Sequence, residues 1–141
     1  MFYQQLPGTN AGDSSAYDPL YAFGAGLSYT TYETKSVTAS GSGTVKVTVN
    51  VANTGSRDGD LVVPVYAEPP ANTGPLQPPS RLVAFTRVAL KAGASKSVAL
   101  SFPASRLAVT GGDLFGAGKR AVVPGTYKIT SGGKSATLPI R

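Results

Sequence analysis

Cysteine, histidine and tryptophan are all absent from this 141-residue chain, and only 7 Asp and Glu stand against 13 Lys and Arg. Without Cys and His there are no thiol nucleophiles, disulfides, imidazole bases, Ser-His-Asp triads or ordinary zinc sites. Neither a metal nor a cofactor is expected. The side chains left for acid–base chemistry are seven carboxylates, Asp13, Asp18, Asp58, Asp60, Asp113, Glu33 and Glu68. Two carboxylates suffice for some hydrolytic mechanisms, so their scarcity alone does not exclude an enzyme.

Long apolar runs are missing as well. No stretch approaches the roughly 18 consecutive apolar residues of a membrane span, so no membrane partner is expected. The net charge of +6 and the pI near 9.7 raise the question of a phosphate-binding surface. The cations, however, are spread almost evenly from Lys35 to Arg141, with Lys119-Arg120 the only adjacent pair. Nucleic-acid binding needs them clustered, so a solvated basic surface is expected and a nucleic-acid partner is not. Zero cysteine fits either the cytoplasm or a secreted bacterial protein. At this length a single domain can bury a core without covalent staples.

What is present is β patterning. From Thr44 to Val51, four valines (Val45, Val47, Val49, Val51) alternate with Thr44, Lys46, Thr48 and Asn50, the period-2 pattern of a half-buried strand. Asn53-Thr54-Gly55 and Asp58-Gly59 supply turn residues. A second strand follows, in which Leu61, Val63 and Val65 alternate with Val62, Pro64 and Tyr66. Pro64 has no N–H to donate, which places this strand at a sheet edge or Pro64 at a bulge. Glu68 to Ser80, with Pro69-Pro70 and Pro78-Pro79, reads as a long loop, either plainly mobile or in contact with a ligand. Further strands are expected at Lys35–Ala39, Leu82–Leu90, Ser97–Phe102, Tyr127–Ser131 and Ala136–Ile140. About seven short strands separated by turns predict an all-β, immunoglobulin-like or fibronectin-like antiparallel sandwich. The missing Cys-Trp-Cys set argues for the fibronectin type.

Residues 1–33 differ in composition, holding five of the seven tyrosines among Gly, Pro, Asn and Ser. An extended segment rich in aromatic rings must bury them against this sandwich or another domain. Within it, Pro19-Leu20-Tyr21-Ala22-Phe23-Gly24-Ala25-Gly26-Leu27-Ser28-Tyr29-Thr30-Thr31-Tyr32 resembles the linker leading into the C-terminal fibronectin type III-like domain of glycoside hydrolase family 3 enzymes, typically β-glucosidases. Downstream, Val51-Ala52-Asn53-Thr54-Gly55, Val62-Val63, Val65-Tyr66, Arg81-Leu82-Val83-Ala84-Phe85, Leu90-Lys91-Ala92-Gly93 and Val123-Pro124-Gly125-Thr126-Tyr127 follow the family's order and spacing. Pro64 stands where the family commonly has Gln, and Arg120-Ala121-Val122 where an aromatic is common.

The resemblance implies a fibronectin type III-like sandwich over residues 34–141 behind an extended clamp over 1–33. Tyr21, Phe23, Leu27, Tyr29 and Tyr32 are the residues it points to for inter-domain packing. The implied partners are the catalytic domains of the same hydrolase, in cis or as a separate chain, with a β-glucan or glucoside substrate as a further one. In that family the nucleophilic Asp lies in an N-terminal (β/α)8 barrel and the acid/base Glu in the following α/β domain, neither of which corresponds to this chain. Asp58 and Asp60, the closest-spaced carboxylates, sit in a Gly-containing turn where Asp serves backbone hydrogen bonding. No catalytic residue is therefore expected, and the chain reads as a non-catalytic accessory domain. Two other readings stand beside this one: a carbohydrate-binding module, which would stack sugars on aromatic rings, and an independent adhesion-type sandwich. Phe2-Tyr3-Gln4-Gln5-Leu6-Pro7-Gly8 is an unusual start, from which a piece of a longer protein is expected.

Overall fold

The computed structural model describes residue 21 and residues 25–71, 78–111 and 118–141. Nine strands occur among them: β1 (Tyr32–Ser40), β2 (Thr44–Asn53), β3 (Gly59–Glu68), β4 (Arg81–Leu90), β5 (Ser95–Pro103), β6 (Val109–Gly111), β7 (Lys119–Ala121), β8 (Gly125–Ser131) and β9 (Lys134–Ile140). Seven of them build two antiparallel sheets, ordered β1-β2-β5 and β4-β3-β8-β9. β4 pairs with β3 rather than with β5, so the fourth strand in chain order joins the sheet of β3, β8 and β9, whereas in an immunoglobulin constant domain it joins the sheet of the first two strands. The expected all-β sandwich of the fibronectin type III kind is what the chain forms. β6 and β7 pair only with each other, in a small hairpin beyond a 3-10 turn at Ala104–Leu107.

The core lies between the two sheets and is built from valine. Val45, Val47, Val49 and Val51 of β2 face Val63 and Val65 of β3, Val83 and Val88 of β4, Ile129 of β8 and Leu138 of β9 within one buried cluster. Burying each such side chain fully contributes about 1.5–3 kcal/mol. Phe102 of β5 is among the largest side chains sealed in this core. The β8–β9 hairpin closes through Gly132 and Gly133, whose φ values of 52° and 78° are the pair a two-residue type I′ turn demands and only glycine adopts without strain.

One sequence expectation needs correction. β3 is not an edge strand, since β4 lies on one side of it and β8 on the other. Its pairing with β8, however, covers only Tyr66–Glu68, so Pro64 stands beyond the end of that ladder. The β3–β4 register shift falls between Val65 and Tyr66, next to Pro64 and not at it. The loop expected from Glu68 to Ser80 is described only at its ends, and residues 72–77 lie outside the described residues.

Tyr127, near the start of β8, donates its phenol O–H to the Val123 carbonyl oxygen at 2.9 Å, the tyrosine-corner contact of sandwich domains. Burial raises its pKa above the ordinary 10.0. A raised folded-state value means that the neutral phenol's contribution is complete below pH 10. It is lost as pH climbs from 10 through the higher folded-state value. Tyr127→Phe is expected to cost about 1–2 kcal/mol in urea unfolding at pH 7, and to lack the part of the wild-type alkaline destabilisation that sets in above pH 10.

Candidate docking surfaces

The strand β2 ends at Asn53, a polar residue only 1% exposed, and its side chain ties three separate chain segments together. Its Oδ1 accepts from the Thr30 hydroxyl at 2.7 Å and from the Gly55 N–H at 3.1 Å. Its Nδ2 donates to the carbonyl oxygens of Arg57 at 2.7 Å and Leu90 at 3.2 Å. The backbone continues the junction: the Thr54 N–H donates to the Thr31 oxygen at 2.8 Å, and the Asn53 N–H to the Ala94 oxygen at 2.9 Å. Thr30 and Thr31 press so closely on Gly55 that a Cβ there would overlap the Thr30 hydroxyl and the Thr31 amide. The Asn53-Thr54-Gly55 turn expected from the sequence thus also fastens the segment leading into β1.

That fastening fixes where the lead-in residues begin to leave the sandwich. Tyr32 is half-buried and packs against the core cluster. Immediately before the junction the situation reverses: Tyr29 is 95%, Leu27 105% and Tyr21 76% exposed. Phe23 lies outside the described residues, as does the whole segment before Tyr21.

A second apolar surface lies on the outer face of the four-stranded sheet. Directly opposed residues of an antiparallel pair share a face, and Val62 opposes Arg87, Pro64 opposes Phe85, and Tyr66 opposes both Leu82 and Thr130. Phe85 is 69% exposed, and Val62 and Leu82 are exposed as well. An ion pair closes each end of this strip, Asp60 with Arg87 at one and Glu68 with Lys128, at 3.2 Å, at the other. Both pairs are solvent-exposed and contribute little stability by themselves.

The remaining carboxylate for which a partner is seen, Asp58, accepts the Ala92 N–H at 2.8 Å and so braces the β4–β5 turn. Asp13, Asp18 and Asp113 lie outside the described residues. Among the described residues, no three His, Cys, Asp or Glu side chains are grouped to hold a metal ion. Two cations have structural roles that an even spread of charge did not foretell. Arg106 Nη1 donates to the Val83 oxygen at 2.7 Å, beside the β4 register shift, and Arg81 Nη1 reaches the oxygens of Arg106 at 3.0 Å and Ala108 at 3.2 Å. Together they lace β4 to the 3-10 turn. Their partners are backbone oxygens more than 20 residues away, for which a single sequence carries no signal.

Comparison with known proteins agrees with this architecture. The fibronectin type III-like domain family matches residues 61–135. A beta-xylosidase of Formosa agariphila is 36% identical over 123 residues, covering 83% of this chain and 16% of the xylosidase. A periplasmic beta-glucosidase of Salmonella typhimurium is 40% identical over 93 residues, covering 62% of this chain and 12% of that enzyme. The solved structure of a beta-glucosidase involved in saponin metabolism from intestinal bacteria superposes with a TM-score of 0.83 at 31% identity, covering 99% of this chain and 20% of the other. The chain spans a fifth or less of each of these relatives. It belongs to the fibronectin type III-like domain family, in the form carried by glycoside hydrolase family 3 enzymes.

Proposed function

We propose that this chain is a non-catalytic accessory domain of a β-glucosidase-type glycoside hydrolase, whose parent enzyme cleaves O-glycosyl bonds of β-glucosides or related sugars. Its work is to pack on the catalytic domains in cis through the segment that leads into the sandwich. The observation carrying this reading is the junction at Thr30–Tyr32: the chain is fastened to Asn53 and Thr54, while Leu27 and Tyr29 just before it project fully into solvent. Large apolar side chains held in the open beside a rigid anchor are suited to entering a neighbour's surface. Tyr21, Phe23, Leu27 and Tyr29 form this clamp, and Tyr32 joins it to the core. The start of β1 at Tyr32 supports a division of the chain near residue 33. The relatives include both a xylosidase and glucosidases, which fits a domain that leaves the choice of sugar to other parts of the enzyme.

The purified 141-residue chain is expected to show no turnover of an aryl β-glucoside, while the full polypeptide that carries it hydrolyses such a substrate. Hydrolysis by the isolated chain would overturn the accessory reading.

A further inference from the structure

A sheet edge is a row of unpaired backbone donors and acceptors, and native folds usually break it with a charge, a proline or a bulge. The two sheets of this sandwich have four such edges, β1 and β5 on one sheet, β4 and β9 on the other. Three of them are interrupted. β1 carries Glu33 and Lys35 and a register shift between Thr34 and Ser36. β4 carries Arg81 and Arg87 and a shift of its own, beside which Arg106 donates to the Val83 oxygen. β9 has Lys134 at its start and, near its end, Pro139, which has no N–H to offer. β5 differs: its register with β2 runs unshifted from Ser95 to Pro103, and no charge or proline falls between Ser97 and Phe102. We propose that the free edge of β5 is a pairing surface, and that its partner is β5 of a second copy of this chain, antiparallel and centred on Ala99.

The residues of the edge select that partner. Ser97-Val98-Ala99-Leu100-Ser101 reads nearly alike in both directions. A two-fold axis through Ala99 sets Ser97 opposite Ser101, Val98 opposite Leu100 and Ala99 opposite itself, the self-matching that an isologous interface requires. Directly opposed residues share a face. Val98 and Leu100 turn toward the core, so their pairing continues the apolar layer from one sandwich into the next. Ser97, Ala99 and Ser101 are exposed and small, so no bulky side chain on the outer face holds the two backbones apart. Lys96 falls opposite Phe102 and not opposite another cation. Moving the centre by two residues loses this match: about Val98 it sets Lys96 against Leu100, and about Leu100 it sets Pro103 against Ser97. A slip of one residue brings core-facing side chains opposite outward ones. Five opposed residues span only about 17 Å of strand, so the interface is small and belongs to the weak, concentration-dependent class. The pairing needs nothing but this chain and does not depend on the accessory-domain reading.

Sedimentation velocity of the 141-residue chain over a roughly hundredfold range of concentration tests this, with hydrogen exchange of the β5 amides measured alongside. The average mass is expected to rise from one copy toward two, and exchange within Ser97–Ser101 to slow as concentration rises. A chain that stays monomeric throughout overturns the proposal, as does association that adds no protection to β5. Ala99→Lys sets two cations against each other on the axis, at a position exposed in the single copy. It is expected to keep the thermal midpoint of the dilute wild-type chain and to weaken association about tenfold or more. Ala99→Glu is expected to do the same on its own. An equimolar mixture of the two variants restores association, because each lysine then meets a glutamate. A mixture that fails to associate, or an Ala99→Lys chain that associates as well as wild type, overturns the pairing about Ala99. In the full polypeptide that carries this chain, protection of β5 that does not vary with concentration assigns the edge to a neighbouring domain and also overturns it.

Discussion

Asn53→Ala is expected to lower the free energy of unfolding by about 3 kcal/mol or more, since each buried hydrogen-bonding group left without a partner costs about 1–3 kcal/mol. The substitution strands the Leu90 carbonyl and the Thr30 hydroxyl and withdraws a partner from Arg57 and Gly55. For a domain of this size the loss corresponds to a fall in Tm on the order of 10 °C, read by thermal or urea unfolding. Asn53→Asp separates the hydrogen bonds from the packing. It keeps the shape but sets a carboxylate oxygen against the carbonyl oxygens of Arg57 and Leu90, which holds its folded-state pKa above the unfolded carboxylate value. The protonated acid can donate to one of those oxygens. The variant's stability is thus fullest below about pH 4 and falls as pH rises through the carboxylate range. Stability of Asn53→Asp that did not change between pH 4 and pH 7, while wild type also stayed constant, would contradict this account of the junction.

Phe102→Ala is expected to destabilise the sandwich by about 3–5 kcal/mol, the range for truncating a buried aromatic in a core that cannot collapse around the gap. Phe102 is 2% exposed, it opposes Val45 across the β2–β5 pairing, and the core cluster around it is rich in valines, whose short, stiff side chains reach poorly into a void. The matched change on the other sheet, Phe85→Ala, removes the same atoms from a 69% exposed position. It is expected to alter the isolated chain by no more than about 0.5 kcal/mol. Urea unfolding of the two variants side by side measures the difference. Similar losses would mean that Phe85 is held in the isolated sandwich in a way its exposure does not reveal.

How much of this was legible beforehand differs from strand to strand. β2 was plain, because its four valines alternate with polar residues and all four are fully buried. The β6–β7 hairpin was not anticipated: its strands are three residues long, and Lys119, Arg120 and Ala121 are all exposed, so no alternation marks them. β4 blurs its own pattern, since the register shift leaves Val83 and Ala84 both buried and throws Phe85 outward. Asn53 was recognisable as a turn residue. Its role in joining Thr30 and Leu90 was hidden, because those partners are 23 and 37 residues away in sequence and meet only once both sheets exist. The outer apolar strip did have a signal, the unbroken run in β3. Reading that run as alternation concealed that both of its faces are apolar.

The same six residues, Leu61 to Tyr66, carry a hazard while the chain is unfolded. They are uncharged, apolar and rich in valine, the composition of segments that stack into cross-β fibrils. A fibril of that kind needs each residue to donate its amide to the chain stacked beside it, and Pro64, in the middle of the run, has none to give. Where β3 outruns its ladder with β8, this proline also interrupts a stretch of backbone that could otherwise recruit a foreign strand. Pro64, which stands where the family commonly has Gln, thus gives this apolar run the kind of interruption that gatekeeper residues provide.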